Sequence, residues 1–160
     1  HLAGELFKHL AGITATHVPY KGAGPAMVDV LAGQIQFMFA SIVSSLHHVR
    51  SGKLRTLAVT SVKRSTAVAE VPTVAEAGVP GYQATTWYGA LAPAGTPAAI
   101  VHKLNLEIVT AVRAPEAQSR LAGDGAEPAG STPAEFAKHL DTEIRKWAKV
   151  IKDSGVRSEQ

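Results

Sequence analysis

The stretch Ile13-Thr-Ala-Thr-His-Val-Pro-Tyr-Lys-Gly-Ala-Gly-Pro-Ala26 decides the fold class, because it joins a strand to a helix through a glycine-rich loop. Residues 13–19 predict a strand that ends at Pro19, since proline cannot donate to a ladder. Residues 20–24 predict the loop, and Pro25 suits the first turn of a helix because its missing N–H is no loss there. A strand, a loop and a helix in this order are typical of an α/β layer with a parallel sheet.

The sequence on either side of this stretch continues the alternation of helices and strands. Upstream, three leucines at helical spacing followed by Gly12 predict a helix that ends at that glycine. Downstream, the helix that starts near Pro25 is expected to stop at Gly33. This alternation favours an α/β fold with a parallel-rich sheet. The other elements predicted in this half are a strand over 35–39, a helix over 45–50 that closes near Gly52, and a strand over 54–59.

The second half of the chain is predicted to be mainly helical. Residues 71–82 form a connection rich in proline and glycine that allows a short helix over 73–77, and residues 85–92 predict one extended segment. Thr96 and Pro97 then open a helix, with threonine as the N-cap and proline at the first position. The predicted buried face of this helix holds Val101, Leu104, Ile108 and Val112, and a further short helix is expected after Pro115.

The last helix has the strongest signal in the sequence. Thr132-Pro-Ala-Glu135 is a capping box, in which each side chain satisfies a backbone N–H near the other. Apolar residues then recur at helical spacing, so a helix with one apolar face is predicted over 133–152. These apolar residues are Phe136, Leu140, Ile144, Trp147 and Ile151.

Composition excludes several classes of protein. With 160 residues, of which 46% are hydrophobic and 18% charged, the chain can bury one sizeable core or two small lobes, and general disorder is excluded. The densest apolar run, residues 37–43, is far shorter than the roughly 20 residues that cross a bilayer as a helix. Cysteine is absent, which excludes disulfides and thiolate chemistry. A net charge of +3 and an aromatic content of 6% do not indicate nucleic-acid binding.

The loop Tyr20-Lys-Gly-Ala-Gly-Pro-Ala26 is the first candidate site. Where a loop leads from a strand into a helix, backbone N–H groups converge and the helix dipole favours an anion. In open parallel sheets, ligands bind at this end of the strands. A dinucleotide fingerprint is disfavoured because Met27 replaces its third glycine, and a P-loop fails because Leu54 follows Gly52-Lys53. The alternative is a glycine-rich turn that only reverses the chain.

The stretch Ala40-Ser-Ile-Val-Ser-Ser45 follows the second predicted strand and would lie on the same edge of the sheet. Its hydroxyls could donate to a carboxylate; the alternative is that Ser41 or Ser44 caps the next helix, which is the commoner role. No Gly-x-Ser-x-Gly elbow surrounds these serines, so a nucleophilic serine lacks its signature. His47 and His48 point to different sides of a helix, and the seven histidines show no metal-ligand spacing.

The charge pattern fits an anionic small molecule. No acidic residue lies between Asp29 and Glu70. The basic residues of that interval could raise the local potential for an anion, although a solvated basic face would give the same pattern. They are Arg50, Lys53, Arg55, Lys63 and Arg64.

Six motifs follow one another along the chain: His17-Val-Pro-Tyr-Lys-Gly-Ala-Gly-Pro-Ala26, Leu31-Ala-Gly-Gln34, Gly52-Lys-Leu-Arg-Thr-Leu-Ala-Val-Thr-Ser61, Val71-Pro-Thr-Val-Ala-Glu-Ala-Gly78, Trp87-Tyr-Gly-Ala-Leu-Ala-Pro-Ala-Gly-Thr-Pro97 and Lys103-Leu-Asn105. Together they resemble the Bug (TctC-like) extracytoplasmic solute receptors of tripartite tricarboxylate transporters. The resemblance covers nearly all 160 residues. It is to the C-terminal part of such a receptor.

The resemblance implies a periplasmic binding protein type II-like fold, in which two lobes close on a small carboxylate. Residues 1–84 would form most of the second lobe. Residues 85–93 would be the crossover strand, and the helical remainder of 85–160 would return to complete the first lobe. The rest of that lobe, a signal peptide and a first ligand-binding loop would precede His1. A start without methionine or leader also predicts a processed product or a piece of a longer protein.

The resemblance also implies where a ligand is held. In such receptors the second lobe meets the ligand through the loop and helix start that match residues 20–26, and through the strand end that matches residues 40–41. The family often carries Asp at or near Ala40, where it can meet an amino group, so its absence here favours a plain carboxylate over an amino acid. The residues implied in ligand binding are Tyr20, Lys21, Gly22, Gly24, Pro25, Ala26, Ala40 and Ser41.

The sequence therefore predicts a non-enzymatic periplasmic receptor that delivers a small organic carboxylate to the membrane components of a tripartite tricarboxylate transporter. No cofactor, metal or nucleic acid is implied. The alternative is an α/β enzyme that uses the helix start as an oxyanion site, but no nucleophile, general base or metal set is identifiable. The helices after Pro97 carry large apolar residues, including Phe136 and Trp147, that must either fold back on residues 1–84 or pack against another copy of the chain. An intertwined homodimer is expected, because the crossover strand that the resemblance implies carries the chain away from the lobe.

Overall fold

Six of the helices that the sequence predicts are present. The computed structural model describes residues 1–156, and six α-helices lie within that range. Helix α1 contacts α6, and α4 contacts both α5 and α6. The helices are α1 (Leu2–Ala11), α2 (Ala23–Leu31), α3 (Ile42–Arg50), α4 (Ala98–Arg113), α5 (Pro115–Gly123) and α6 (Pro133–Ser154), with a 3₁₀ turn at Thr66–Val68 between α3 and α4.

The predicted ends of α1 and α6 are confirmed in their hydrogen bonding. Gly12 follows α1 in the left-handed conformation, with φ of 64°, and its N–H donates to the carbonyl of Lys8. This conformation suits glycine, which has no Cβ to clash. At the start of α6 the Glu135 N–H donates to the Thr132 hydroxyl oxygen, and the Thr132 N–H donates to the Glu135 carboxylate. The capping box is complete.

Three predicted helix starts differ from the structure. Helix α3 begins at Ile42, three residues before the predicted start at Ser45. The Thr96 hydroxyl does not cap α4: the N-cap residue is Pro97, no side chain makes a capping hydrogen bond there, and the hydroxyl donates to the Pro93 carbonyl over 2.8 Å. Residues 73–77 form hydrogen-bonded turns in place of the short helix, with the Ala77 N–H on the Thr73 carbonyl at 2.9 Å.

The predicted strands are not paired into a ladder among residues 1–156. The bridge assigned there is parallel and joins Val59, the last residue of the predicted strand 54–59, to Thr73, which the sequence placed in the connection over 71–82. On the other side of this bridge the Ala84 N–H donates to the Thr60 carbonyl over 2.9 Å. Three chain segments thus lie side by side at this point.

One cavity borders three of the segments predicted to be extended. Residues 36–39, 54–59 and 85–92 all line this cavity of about 1840 Å³. Of the first predicted strand, 13–19, Ile13 lines it and the other residues do not.

Tyr82 lies at the centre of the main core and is 2% exposed. Its ring meets Phe7 edge-to-face at 5.9 Å between centroids and stacks on Phe39 at 6.2 Å. Its hydroxyl donates to the Ala3 carbonyl over 3.0 Å. The core therefore fastens α1 to the connection that ends at Tyr82. Leu46, Val59, Val68 and Val71 form a second, smaller cluster beneath α3.

The tertiary contacts of Trp147 correct the expectation of an intertwined dimer. Trp147 packs against the Tyr82 core, and α6 packs on α1 within the same chain. Its indole N–H donates to Glu143 over 2.8 Å. Phe136 meets Trp87 edge-to-face at 5.6 Å. Both large side chains of α6 therefore find partners within their own chain, and the argument for exchange between two copies fails.

The predicted buried face of α4 lines the cavity. Leu104 and Ile108 are 49% and 43% exposed, and none of the residues of α4 is buried. The helical period is as predicted, but the face borders open space where a packed layer was expected. No helix of residues 1–156 is both long and apolar enough to span a bilayer.

Candidate functional site

The start of α2 exposes backbone N–H groups to solvent. Gly22 precedes the helix with φ of 115°, a conformation that L side chains rarely adopt, so glycine is required there. No side chain caps the helix, and its first turn carries no acidic residue. The first N–H groups of a helix have no acceptor within it. The exposed turn from Lys21 to Pro25 thus offers unpaired donors and a favourable dipole to an anion.

Two buried residues fix this turn on the protein. Ala26 and Met27 are 9% and 6% exposed, whereas the residues before them are exposed. A methyl group added at Gly24 would meet no protein atom within 4 Å. Ala26 and Met27 therefore hold the loop on the protein, while residues 21–25 stay exposed and accessible to a ligand.

The start of α3 likewise has no side-chain cap, and it carries the hydroxyl of Ser41. Ser41 is the N-cap residue, but its side chain makes no capping hydrogen bond. The Ser44 and Ser45 hydroxyls do not cap the helix either, because both donate to the Ser41 carbonyl at 2.9 and 3.0 Å. The capping role that the sequence offered for Ser41 or Ser44 is therefore wrong. No acidic residue lies in the first turn of α3.

The structure does not gather both candidate segments around one cavity. Ala40 and Ser41 line the large cavity, whereas none of residues 20–26 does. At about 1840 Å³ the cavity exceeds the roughly 300–1,000 Å³ of small-molecule pockets. Much of its wall is the apolar face of α4. A small ligand could therefore occupy only part of this volume.

The basic residues predicted to attract an anion are exposed, but they do not form one group. Arg55 and Lys63 line the cavity. Arg64 instead pairs with Glu76 at 2.9 Å. Because exposed charges are screened, the cavity gains a modest positive bias from the first two residues.

The histidines do not assemble with acidic residues into a metal site within the described range. No group of three or more His, Asp or Glu side chains in residues 1–156 could hold a metal ion. The rings of His47 and His48 lie 5.0 Å apart and are tilted by 56°.

Asp29 is a residue of this region that the sequence reasoning missed. The Tyr20 hydroxyl donates to the Asp29 carboxylate over 2.6 Å, and this hydrogen bond raises the pKa of the Tyr20 phenol. The sequence did contain a signal that could have indicated Asp29: no other acidic residue lies between Glu5 and Glu70.

Comparison with known proteins finds receptors over the whole described range. The model of the tripartite tricarboxylate transporter family receptor, TctC, matches residues 1–156. The structure of R. palustris Rpa4515 with adipate has a TM-score of 0.89 and 39% identity, and covers 97% of this chain and 52% of that chain. The periplasmic binding protein BugD has a TM-score of 0.86 and 32% identity, with 99% and 54% coverage. MatC from Rhodopseudomonas palustris with bound malate has a TM-score of 0.83 and 33% identity, with 94% and 52% coverage.

These matches establish the fold class and the family. The likeness to BugD and the other structures shows the α/β fold of periplasmic binding proteins, as predicted. The chain spans about half the length of most curated relatives that it matches. Because the receptor model matches every described residue, this chain belongs to the tripartite tricarboxylate transporter receptor family.

Proposed function

We propose that this chain is the ligand-binding part of a periplasmic solute receptor that captures a small dicarboxylate and delivers it to a tripartite tricarboxylate transporter. The observation that carries the proposal is the pair of uncapped helix starts, at Gly22 and Ser41, neither of which has an acidic residue in its first turn. Related receptors were solved with adipate and with malate, which are both dicarboxylates. The family consists of receptors, and no described feature favours the alternative of an enzyme.

The proposed capture uses backbone donors and one hydroxyl. The N–H groups of Ala23 and Gly24 donate to one carboxylate, and the nearby Lys21 ammonium adds positive charge. The Ser41 hydroxyl, which no capping bond occupies, is a second candidate donor, on the wall of the cavity that residues 20–26 do not line. The site residues implied by the resemblance thus act mainly through main-chain groups, which hold a carboxylate without reading the rest of the molecule.

We further propose that the other wall of the site comes from a second lobe. Residues 1–84 form one lobe, residues 85–93 cross over, and the helices that follow complete the other lobe. Two surfaces support this division: the open cavity wall and the half-exposed apolar face of α4. The remainder of the other lobe, placed against them, would bury both. Closure of the lobes would then exclude water from the carboxylate and strengthen its hydrogen bonds.

Gly24→Val tests the site at the start of α2. The valine side chain would project into space that is empty of protein, so it should obstruct the ligand without disturbing the fold. We expect the Kd for adipate to rise about tenfold, which is the loss of about one charge-assisted hydrogen bond. NMR titration with adipate measures weak Kd values and shows which backbone amide signals shift.

Gly123→Val is the matched control. Gly123 also lies in a helix and has no protein atom within 4 Å of an added Cβ, but it belongs to α5. Its replacement should leave the adipate Kd unchanged. Equal effects of the two substitutions, or chemical shift changes that bypass Gly22, Gly24 and Ser41, would overturn the proposed site.

A further inference from the structure

The Tyr20 hydroxyl is already committed as a donor. It lies 2.6 Å from Oδ2 of Asp29, a short distance typical of a phenol that donates to an ionised carboxylate. A phenol has a single proton to donate. Because this proton is directed at Asp29, the Tyr20 oxygen presents only lone pairs to a ligand, and lone pairs repel an anion. Tyr20 is therefore poorly suited to donate to a bound carboxylate.

Asp29 is connected to both ends of α2. Its side chain holds Tyr20, which lies two residues before the N-cap Gly22. Its backbone carbonyl accepts from the Gln34 N–H over 2.8 Å, beyond the end of the helix. Tyr20 and Asp29 are both half-buried, so the bond between them is partly shielded from water. The Asp29 carboxylate thus links the loop that contains Tyr20 to α2, the helix that follows this loop.

The charge of Asp29 needs an explanation near a site for anions. It is the only acidic residue between Glu5 and Glu70, in a region otherwise neutral or basic. A free carboxylate one or two turns from the helix start would weaken anion binding. The hydrogen bond from Tyr20 disperses part of this negative charge. The same bond holds the loop that contains Tyr20 on α2.

We infer that Asp29 is a positioning residue, which acts through Tyr20 to hold the loop before α2 in the conformation that presents the Ala23 and Gly24 amides. The inference rests on the proposed function for the identity of the ligand, but not for the ordering of the loop. Tyr20 then contributes to binding through the geometry of the loop, and its hydroxyl does not touch the ligand.

A double-mutant cycle tests this inference with adipate as the probe. Tyr20→Phe and Asp29→Ala should each raise the adipate Kd about threefold to tenfold, the effect of one hydrogen bond. Tyr20→Phe should add nothing further in the Asp29→Ala background, because the bond is already lost. Asp29→Asn keeps an acceptor oxygen and should restore most of the affinity. Asp141→Asn, on the exposed face of α6, controls for loss of a carboxylate.

A second readout uses the protein without ligand. Amide hydrogen exchange at Gly22 and Gly24 should accelerate in Tyr20→Phe and in Asp29→Ala, and remain at the wild-type rate in Asp141→Asn. If Tyr20→Phe still weakens adipate binding in the Asp29→Ala background, the hydroxyl touches the ligand and the inference is wrong. If exchange is unchanged in both variants, the loop does not depend on the pair and the inference is also wrong.

The two readouts separate this inference from the proposed function. If adipate and malate leave the amide signals of the wild-type chain unmoved, the proposed binding site fails. The exchange rates then decide the positioning role alone: faster exchange in both variants supports it, and unchanged exchange overturns it.

Discussion

At the scale of single residues, the buried phenol of Tyr82 carries the most tertiary information. It is in contact with α1 through both its ring and its hydroxyl, although 79 residues separate it from Ala3. Burial raises the pKa of the Tyr82 phenol well above its usual range, because the phenolate would lose its hydration. The neutral form is thus part of the folded state.

Tyr82→Phe tests the hydroxyl separately from the ring. We expect a loss of about 0.5–1.5 kcal/mol in the free energy of unfolding at neutral pH, because one buried hydrogen bond disappears while the ring packing stays. Urea melts measure this. Tyr88→Phe is the matched control, since Tyr88 is 88% exposed and should leave the midpoint unchanged.

The same phenol predicts an alkaline limit to stability. A pKa that is raised in the folded state contributes stability that is fully present below the ordinary value of 10.0 and is lost as the pH rises above it. Wild type should therefore lose stability between neutral pH and about pH 11 more steeply than Tyr82→Phe. Equal slopes in urea melts across this range would contradict the burial of Tyr82.

At the scale of elements, the helix ends show how local chemistry fixes structure. Helix α6 begins at a complete capping box, and the Thr132 backbone N–H lowers the pKa of the Glu135 carboxyl by donating to it. Helix α2 begins with neither a cap nor an acidic residue. Helices α1, α3, α4 and α5 also lack a side-chain cap, so a missing cap alone does not mark a site. The proposal at α2 rests in addition on the exposed, glycine-rich loop before the helix.

Thr132→Ala should fray the start of α6. The substitution removes the acceptor of the Glu135 N–H, and we expect a loss of about 1 kcal/mol, measured as a lower Tm by circular dichroism. Thr142→Ala is the control, because Thr142 lies inside α6 and alanine is the better helix former there. A lowered Tm in the control but not in Thr132→Ala would contradict the capping role.

Acid should weaken the same cap. The Glu135 pKa is lowered in the folded state, so its contribution is present above its usual value of 4.5 and is lost as the pH falls below that value. The difference in Tm between wild type and Thr132→Ala should therefore shrink at acidic pH. Both chains keep the backbone N–H of residue 132, but only wild type loses the hydrogen bond from the Thr132 hydroxyl to the ionised Glu135 carboxylate.

At the scale of the whole molecule, the large cavity determines how strongly we expect the proposed site to bind a ligand. Its wall includes Ser41 from the proposed site and the apolar face of α4, both open to solvent. One wall buries a small ligand from one side only, and water competes for the same donors on the other. Closure by a second lobe is expected to supply most of the affinity.

The 160-residue chain alone should therefore bind adipate feebly. We expect a Kd of about 1 mM or weaker, corresponding to about −4 kcal/mol. NMR titration measures the chain itself, and a receptor containing both lobes provides the comparison. A micromolar or tighter complex with the chain alone would show that one lobe is sufficient and that closure is not required.

The sequence by itself determined the features that depend on neighbours along the chain. The Thr132 capping box spans four residues, Gly12 ends α1 within one turn, and the helical periods of α4 and α6 repeat every three or four residues. The proposed anion loop was likewise visible, because a glycine-rich turn before a helix is a local pattern. The ordered motifs also sufficed to indicate the receptor family, which the match over residues 1–156 confirms.

Only the tertiary structure decided which distant residues meet. It placed Tyr82 against Ala3, brought the Tyr20 hydroxyl to donate a hydrogen bond to Asp29, and packed Trp147 on the core of its own chain. It also placed residues 36–39 and 85–92, from two segments predicted to be extended, on the wall of one cavity. Periodicity shows which face of an element is apolar, but not what covers that face. The cover depends on how segments far apart in the chain arrange themselves in space, and no local pattern encodes that distance.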